Sequence, residues 1–386
     1  MAPRIYFDHA ATTPLDPRVF EAMRPYLREN WGNPSSLHRE GCVAREAMET
    51  SRSKVAGLLG AEPAEVVFTS SGTEADNLAI FGFLPWDPLA EVRLITSAIE
   101  HPAMLECCRE LERRGAKVTY LPVDAEGIVN PADLETALQS RADLVSIMAA
   151  NNVTGVLQPI AELGRIARQQ GAIFHTDAVQ AAGKFPLDVR RMPIDLLSFS
   201  AHKLHGPKGT GALFVRRGLK PAPLIFGGGQ EGGLRSGTEN IAGIVGFGRA
   251  AELARAEMSE EAARLVQLRD RLIDSTLAAC ENAYSIGSRY RRLPGHICLG
   301  FAGQEGEAIK LLLELDEQGI AVSSGSACGN LHAGGPSHVL QAMGFDATRA
   351  RGSLRVTLGR FNTAEEIDRF LAVLPDAVRK MRSMAA

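Results

Sequence analysis

Short apolar runs alternate with stretches of helical period between about residues 65 and 215. The runs are Val66–Phe68, Arg93–Thr96, Lys117–Leu121, Leu144–Met148, Ala172–His175, Leu196–Ser200 and Ala212–Val215, and the helical stretches include Glu74–Phe83 and Ala103–Arg114. Short continuous runs bounded by turns suit strands buried on both faces. Their alternation with helices predicts an α/β chain with a mostly parallel central sheet, covered by helices on both faces. Ligands of such sheets bind at the carboxyl ends of the strands. After Asn240 the pattern changes to one long helical stretch, Ile241–Cys280, that leaves the large unit. A smaller α+β unit follows, with a helix over Glu305–Leu315 closed by Gly319 and strands at Ile320–Val322 and Leu354–Leu358. A last helix starts at Thr363, where Thr363-Ala364-Glu365-Glu366 has the form of a capping box. The expected division is a large domain over residues 15–255 and a small α+β C-terminal domain made of 1–14 and 256–386.

Composition narrows the classes. The chain has 386 residues, 45% hydrophobic and 23% charged, which excludes disorder and collagen-like repetition. Its 42 Lys+Arg against 45 Asp+Glu give a net charge of −3, so no electrostatic footprint for nucleic acid or an acidic membrane is present. No apolar run reaches the ~18 residues of a membrane helix, and the first residues lack the apolar core of a signal peptide. The expectation is a cytoplasmic protein that binds neither membrane nor nucleic acid. Six cysteines with no C-x-x-C pair argue against a disulfide framework or a zinc ribbon.

Candidate chemistry collects where strands end. Lys203 directly follows the strand Leu196–Ser200, with no carboxylate within seven residues on either side. An amine stripped of water at a sheet edge drifts toward neutrality and can form a Schiff base, although a lone lysine at a strand end is ordinarily a solvated one. Ser200 and His202 beside it can donate to a phosphate, and the glycines that follow let backbone approach a ligand. One strand earlier, Asp177 leaves a buried strand and Gln180 lies three residues on. Alone these read as a helix cap and a surface amide. With a Schiff-base lysine they match the needs of pyridoxal phosphate, a counter-charge for the pyridinium and a donor to the phenolate oxygen. Gly72 and Thr73, in Thr69-Ser70-Ser71-Gly72-Thr73-Glu74, open a helix after a strand and suit a phosphate cradle, or equally an ordinary helix cap.

His101 follows the strand Arg93–Thr96, where an imidazole can stack on a cofactor ring or shuttle protons. Asn151 and Asn152, and Arg355 on a late strand, hold comparable positions. A guanidinium there suits a substrate carboxylate because it grips two oxygens. Cys328 sits inside Ser323-Ser324-Gly325-Ser326-Ala327-Cys328-Gly329-Asn330, a run of small residues expected to be mobile, and a thiol exposed on such a loop suits function better than packing.

Taken in order, these motifs are similar to those of the cysteine desulfurases, pyridoxal-phosphate enzymes of fold type I in the class-V aminotransferase family. The resemblance runs nearly end to end, through Tyr6–Pro14, Gly32–His38, Thr69–Asn77, Glu100-His101, Asn151-Asn152, His175–Gln180, Ser200–Gly209, Arg235–Thr238, Ser323–Cys328 and Arg355–Thr363. It implies that Lys203 carries the cofactor, Asp177 pairs with its ring nitrogen, Gln180 reaches the phenolate oxygen and His101 stacks on the ring as acid or base. It further implies that Asn152 helps hold cofactor and substrate, and that Gly72, Thr73, Ser200 and His202 take the phosphate, joined by Thr238 of a second subunit in a homodimer. Arg355 would bind the carboxylate of L-cysteine. Cys328 would accept its sulfur as a persulfide, leave L-alanine, and pass the sulfur to an acceptor protein such as an iron–sulfur scaffold. Three rivals are an aminotransferase or selenocysteine lyase of the same fold, a catalytically idle partner protein, and a metal site on His202 and His205. The last fails for want of further ligands at suitable spacing.

Overall fold

The computed structural model describes residues 3–84, 91–304, 308–325 and 335–383. Its strands are, in chain order, β1 Ile5–Tyr6, β2 Val66–Thr69, β3 Arg93–Ser97, β4 Lys117–Leu121, β5 Leu144–Ser146, β6 Ile173–Asp177, β7 Leu196–Ser200, β8 Gly211–Val215, β9 Ala283–Ser285, β10 His296–Phe301, β11 Ile320–Ala321, β12 Ser323–Ser324 and β13 Ser353–Thr357. Seven of them form one sheet in the order β2-β8-β7-β6-β5-β3-β4. β7, β6, β5, β3 and β4 pair in parallel, while β8 runs antiparallel to both β7 and β2. The expected mostly parallel sheet is therefore present, with one reversed strand. The reason is length. Only ten residues, Ala201 to Thr210, separate β7 from β8, and a parallel crossover needs about a dozen or more. Because β8 is reversed, β2 again points the same way as the other five strands, and their carboxyl ends share one edge.

Both faces of this sheet are apolar, as parallel strands require. Phe68, Val145, Phe174, Leu197, Phe199 and Phe214 belong to one large buried cluster, and Val67, Leu94, Leu144, Leu196 and Leu213 to a second on the other face. The helix Arg39–Leu59 packs on the first face through Ala44, Ala47, Met48, Val55 and Leu59. Its alanine-rich stripe gives weak hydrophobic periodicity, which is why the sequence pattern does not single it out.

The long helix Ile241–Ala279 falls one residue short of the expected end. Its first half, through Phe247, Ala251 and Ala254, lies in the large cluster; its second half, through Leu265, Leu268 and Leu272, lies in another built from β10, β13 and the C-terminal helix Ala364–Ser383. That second cluster covers a four-stranded antiparallel sheet in the order β12-β13-β10-β9. Gly319 adopts φ +76° after the helix Ala308–Glu317, the left-handed geometry that ends a helix at lowest cost with glycine. The capping box forms as expected, Thr363 N–H donating to Glu366 at 3.1 Å and Glu366 N–H to Thr363 Oγ1 at 3.3 Å. At the other terminus, β1 pairs in parallel with β11. The chain then crosses to the large sheet, where Thr13 N–H donates to the carbonyl of His202 at 3.0 Å. Among the described residues no helix is long and apolar enough to cross a membrane.

Phe247 is fully buried against Phe68 and Phe199, at ring-centroid distances of 6.4 and 5.2 Å. Phe247→Ala is expected to cost roughly 3–5 kcal/mol, measured as the fall in unfolding free energy in urea.

Candidate active site

A cavity of about 320 Å³ opens at the carboxyl edge of the large sheet. Its wall brings together Gly72, Thr73, His101, Asn152, Asp177, Gln180, Ser200, His202 and Lys203, nine residues taken from the last positions of β6 and β7 and from the segments that follow β2, β3, β5, β6 and β7. Scattered over some 130 positions of sequence, they meet because every one of these strands ends at the same edge.

Lys203 closes a single 3₁₀ turn, Ala201–Lys203, that continues β7. Its amine is buried and donates to the main-chain carbonyls of Ala10 and Ala11, the latter at 2.8 Å. Gln180 is tied to the same segment, its Nε2 donating to the Ala10 carbonyl at 2.9 Å, while its buried Oε1 has no partner. Asp177 ends β6 and accepts the Val179 N–H at 2.9 Å. Burial pushes its carboxyl up, against the pull of His101, the Val179 amide and Lys203.

His101 is the N-cap of the helix Pro102–Arg113, and its Nδ1 accepts the Ala103 N–H at 3.1 Å. Burial holds the imidazole below its ordinary pKa, with Lys203 and His338 adding to the effect and Asp177 opposing it. A ring whose Nδ1 accepts while neutral carries its proton on Nε2. The cap geometry is thus what fixes the tautomer.

The helix Gly72–Phe81 presents its N-terminus to the cavity. Ser71 caps it, accepting the Glu74 N–H at 3.1 Å. A Cβ at Gly72 would stand 2.5 Å from Val179 Cγ2, so a side chain there would close the approach to the helix end. Ser200 Oγ donates to the Thr210 carbonyl at 3.2 Å, and His202 Nδ1 lies 3.1 Å from Thr12 Oγ1. Burial, followed by Lys203 and Lys184, brings His202 down to about 4.

Two expected residues are not in this wall. Arg355 is fully buried on β13, where Nη1 donates to the Asn152 carbonyl at 3.1 Å and Nη2 pairs with Asp8 at 2.9 Å. Thr238 is exposed and borders a separate depression of about 130 Å³ with Ser70, Thr210 and Arg235. Cys328 lies outside the described residues. Asn151 serves the backbone, its Oδ1 accepting the N–H groups of Val153 and Thr154 at 2.9 Å each. The wall also includes residues the sequence did not single out, among them Ala10, Ala11, Met148 and Asp76. Asp76 was findable: four residues after Gly72 on one helix, it must share that residue's face.

The class-V aminotransferase family model matches residues 5–370. A cysteine desulfurase IscS of Dictyoglomus turgidum is 48% identical over 385 residues, covering 100% of this chain and 97% of that protein. Among solved structures, a NifS-like protein superposes with a TM-score of 0.91 at 41% identity, covering 98% of this chain and all of the other. A second, titled SspA in complex with cysteine, has a TM-score of 0.81 at 37% identity, covering 93% of this chain and all of the other.

Burial holds His9 and His175 near 3 and His202 and His205 near 4, all well below the ordinary 6.5. At these four rings the unfolded chain binds more protons than the folded one between about pH 6.5 and 4, so their contribution to stability falls as pH falls through that window, while buried Glu100, pushed up to about 8, acts in the opposite direction. Urea unfolding followed across it is expected to show this loss, and histidine NMR signals of these four rings are expected not to titrate above about pH 5.

Proposed function

This chain belongs to the class-V aminotransferase family, in its cysteine desulfurase branch, and on that premise we propose that the cavity at the sheet edge binds pyridoxal 5′-phosphate and takes sulfur from L-cysteine. The observation that carries the reading is the convergence of an amine, a carboxylate and a helix N-terminus on one cavity, from Lys203, Asp177 and Gly72. These are the three contacts the cofactor needs: a covalent anchor, a counter-charge for its ring nitrogen and a seat for its phosphate. The cavity volume lies at the lower end of the range for small-molecule sites. When bound, the cofactor supplies an electrophilic carbon and an electron sink for the substrate's α-carbon.

The rest falls to side chains of this protein. Lys203 holds the cofactor, and its amine, once released, takes the substrate's α-proton. Asp177 keeps the ring nitrogen protonated. Thr73, Ser200 and His202 join the helix N-terminus around the phosphate, and Gln180 and Asn152 orient the ring. Neutral His101 offers its Nε2 proton across the cavity. Arg355 binds the substrate carboxylate with guanidinium hydrogens beyond those engaged by Asp8 and Asn152; its buried Nε is unpartnered. The Cys328 thiolate attacks the substrate sulfur, so a C–S bond breaks and an S–S bond forms. The balance is L-cysteine plus enzyme thiol giving L-alanine plus enzyme persulfide, with sulfur then passed to an acceptor protein such as an iron–sulfur scaffold.

A homodimer completes the site in this reading, with Thr238 reaching the partner's phosphate. Supporting it, Trp31, Leu37 and Phe226 are 74%, 88% and 81% exposed, an unfavourable arrangement for a lone chain. The reaction belongs in the cytoplasm, where the thiols stay reduced.

The test is the visible spectrum of the purified protein before and after L-cysteine, with alanine assayed in the same sample. Lys203→Ala is expected to abolish the cofactor absorbance. Cys328→Ala is expected to retain it yet form no persulfide and lose roughly 10²-fold or more of sulfur release. A colourless wild-type protein, or undiminished desulfuration by Cys328→Ala, overturns the assignment.

A further inference from the structure

Behind the cavity wall runs a buried polar chain that none of the roles above uses. Asp76 lines the cavity at 1% exposure, and its Oδ1 has no hydrogen-bond partner. That oxygen stands 3.7 Å from His175 Nε2, and the carboxyl also interacts with the Ser198 hydroxyl. His175 precedes Asp177 by two residues on β6 and shares its face of the sheet. Fully buried, it has Nε2 at 3.0 Å from Ser198 Oγ and Nδ1 at 2.7 Å from Ser146 Oγ. Ser146 Oγ lies 3.9 Å from Met104 Sδ as a donor.

Each hydroxyl here brings one proton, and a neutral imidazole brings one, so two arrangements satisfy the chain. In the first, the Asp76 O–H donates to Ser198, Ser198 to His175 Nε2, His175 Nδ1–H to Ser146, and Ser146 to the Met104 sulfur. In the second, Ser146 donates to Nδ1, Nε2–H to Ser198, and Ser198 to an ionised Asp76, leaving the sulfur without a proton. The second arrangement also buries a carboxylate with one oxygen unsatisfied, a costly state. The groups around Asp76 do not relieve it. Asp177 and Glu100 are carboxyls, Cys107 is a buried thiol, and the cavity's basic groups, Lys203 and His101, act on Asp177.

We propose that Asp76 is a protonated carboxylic acid heading a one-way hydrogen-bond chain through Ser198 and His175 to Ser146, and that its neutrality leaves Asp177 to supply the negative charge beneath the cofactor ring. Burial, reinforced by Asp177 and Glu100, pushes the Asp76 carboxyl well above the carboxylate range, in the same direction. Asp76 is thereby a positioning residue, holding His175 and the floor under Asp177. The role toward the ring rests on the pyridoxal-phosphate reading; the protonation state does not.

Two measurements on the full-length protein decide it. The infrared C=O stretch of a protonated carboxyl is expected near neutral pH in the wild type and is expected to weaken in Asp76→Asn. Nitrogen-15 NMR of the wild type is expected to find His175 protonated on Nδ1. An unchanged infrared band, or a His175 proton on Nε2, overturns the proposal, and the second result needs no variant to fold. Asp76→Asn keeps a donor to Ser198 and is expected to retain bound cofactor within about twofold, whereas Asp177→Asn is expected to lose it by about tenfold or more. Loss by Asp76→Asn as large as by Asp177→Asn would make Asp76 a charged partner of the ring and refute the assignment. A wild type that binds no pyridoxal phosphate would sink the preceding functional reading, while the band and the tautomer would still report on Asp76.

Discussion

The donation from the Lys203 amine to the carbonyls of Ala10 and Ala11 is the contact on which the rest of the site depends. It joins the one turn that continues β7 to a segment from the other end of the chain, and Gln180 fastens the same segment from β6. A buried amine needs acceptors, and these two peptide carbonyls supply them. The segment that follows β1 is therefore part of the cavity wall. Its position is fixed from both sides, by β11 through β1 and by His202 through Thr13.

Around that contact the ionisable groups are arranged by desolvation more than by pairing. His101, His175 and His202 are all driven toward the neutral form by burial. Neutral imidazoles have one donor and one acceptor each, so their neighbours dictate which nitrogen carries hydrogen. The Ala103 amide does this for His101, whereas the two serines beside His175 can each donate or accept and leave the choice to the groups beyond them. The ion pairs with full charges lie off to the side, as at Arg355 and Asp8. A site built this way presents defined proton positions with few competing counter-ions.

Much of this was legible in the sequence because strand-end residues are legible in a parallel sheet. Once Val66–Phe68, Arg93–Thr96 and Leu196–Ser200 are read as strands, the residues that follow them must share an edge, and Gly72, His101 and Lys203 meet there. Periodicity could not show the reversal of β8, which comes from the length of a connection. It also missed Ala10 and Ala11, which act through backbone carbonyls that any residue possesses. Spacing could place Asp76 on the face of Gly72 but not its contacts, because its neighbours in space, His175 and Ser198, come from β6 and β7, about 100 and 120 positions away. Thr238 borders a separate depression, and a part for it at the cavity comes from resemblance alone.

The helix Ile241–Ala279 has 39 residues, which at 1.5 Å per residue is a rod about 58 Å long. One half is built into the interior beneath the large sheet and the other into that beneath the small one. Such a shared axle lets neither body melt alone, because fraying the rod within either interior strips apolar cover from that interior while leaving a severed end in the other. One continuous element thus ties the two interiors together, so that a perturbation of the rod in either is felt in both.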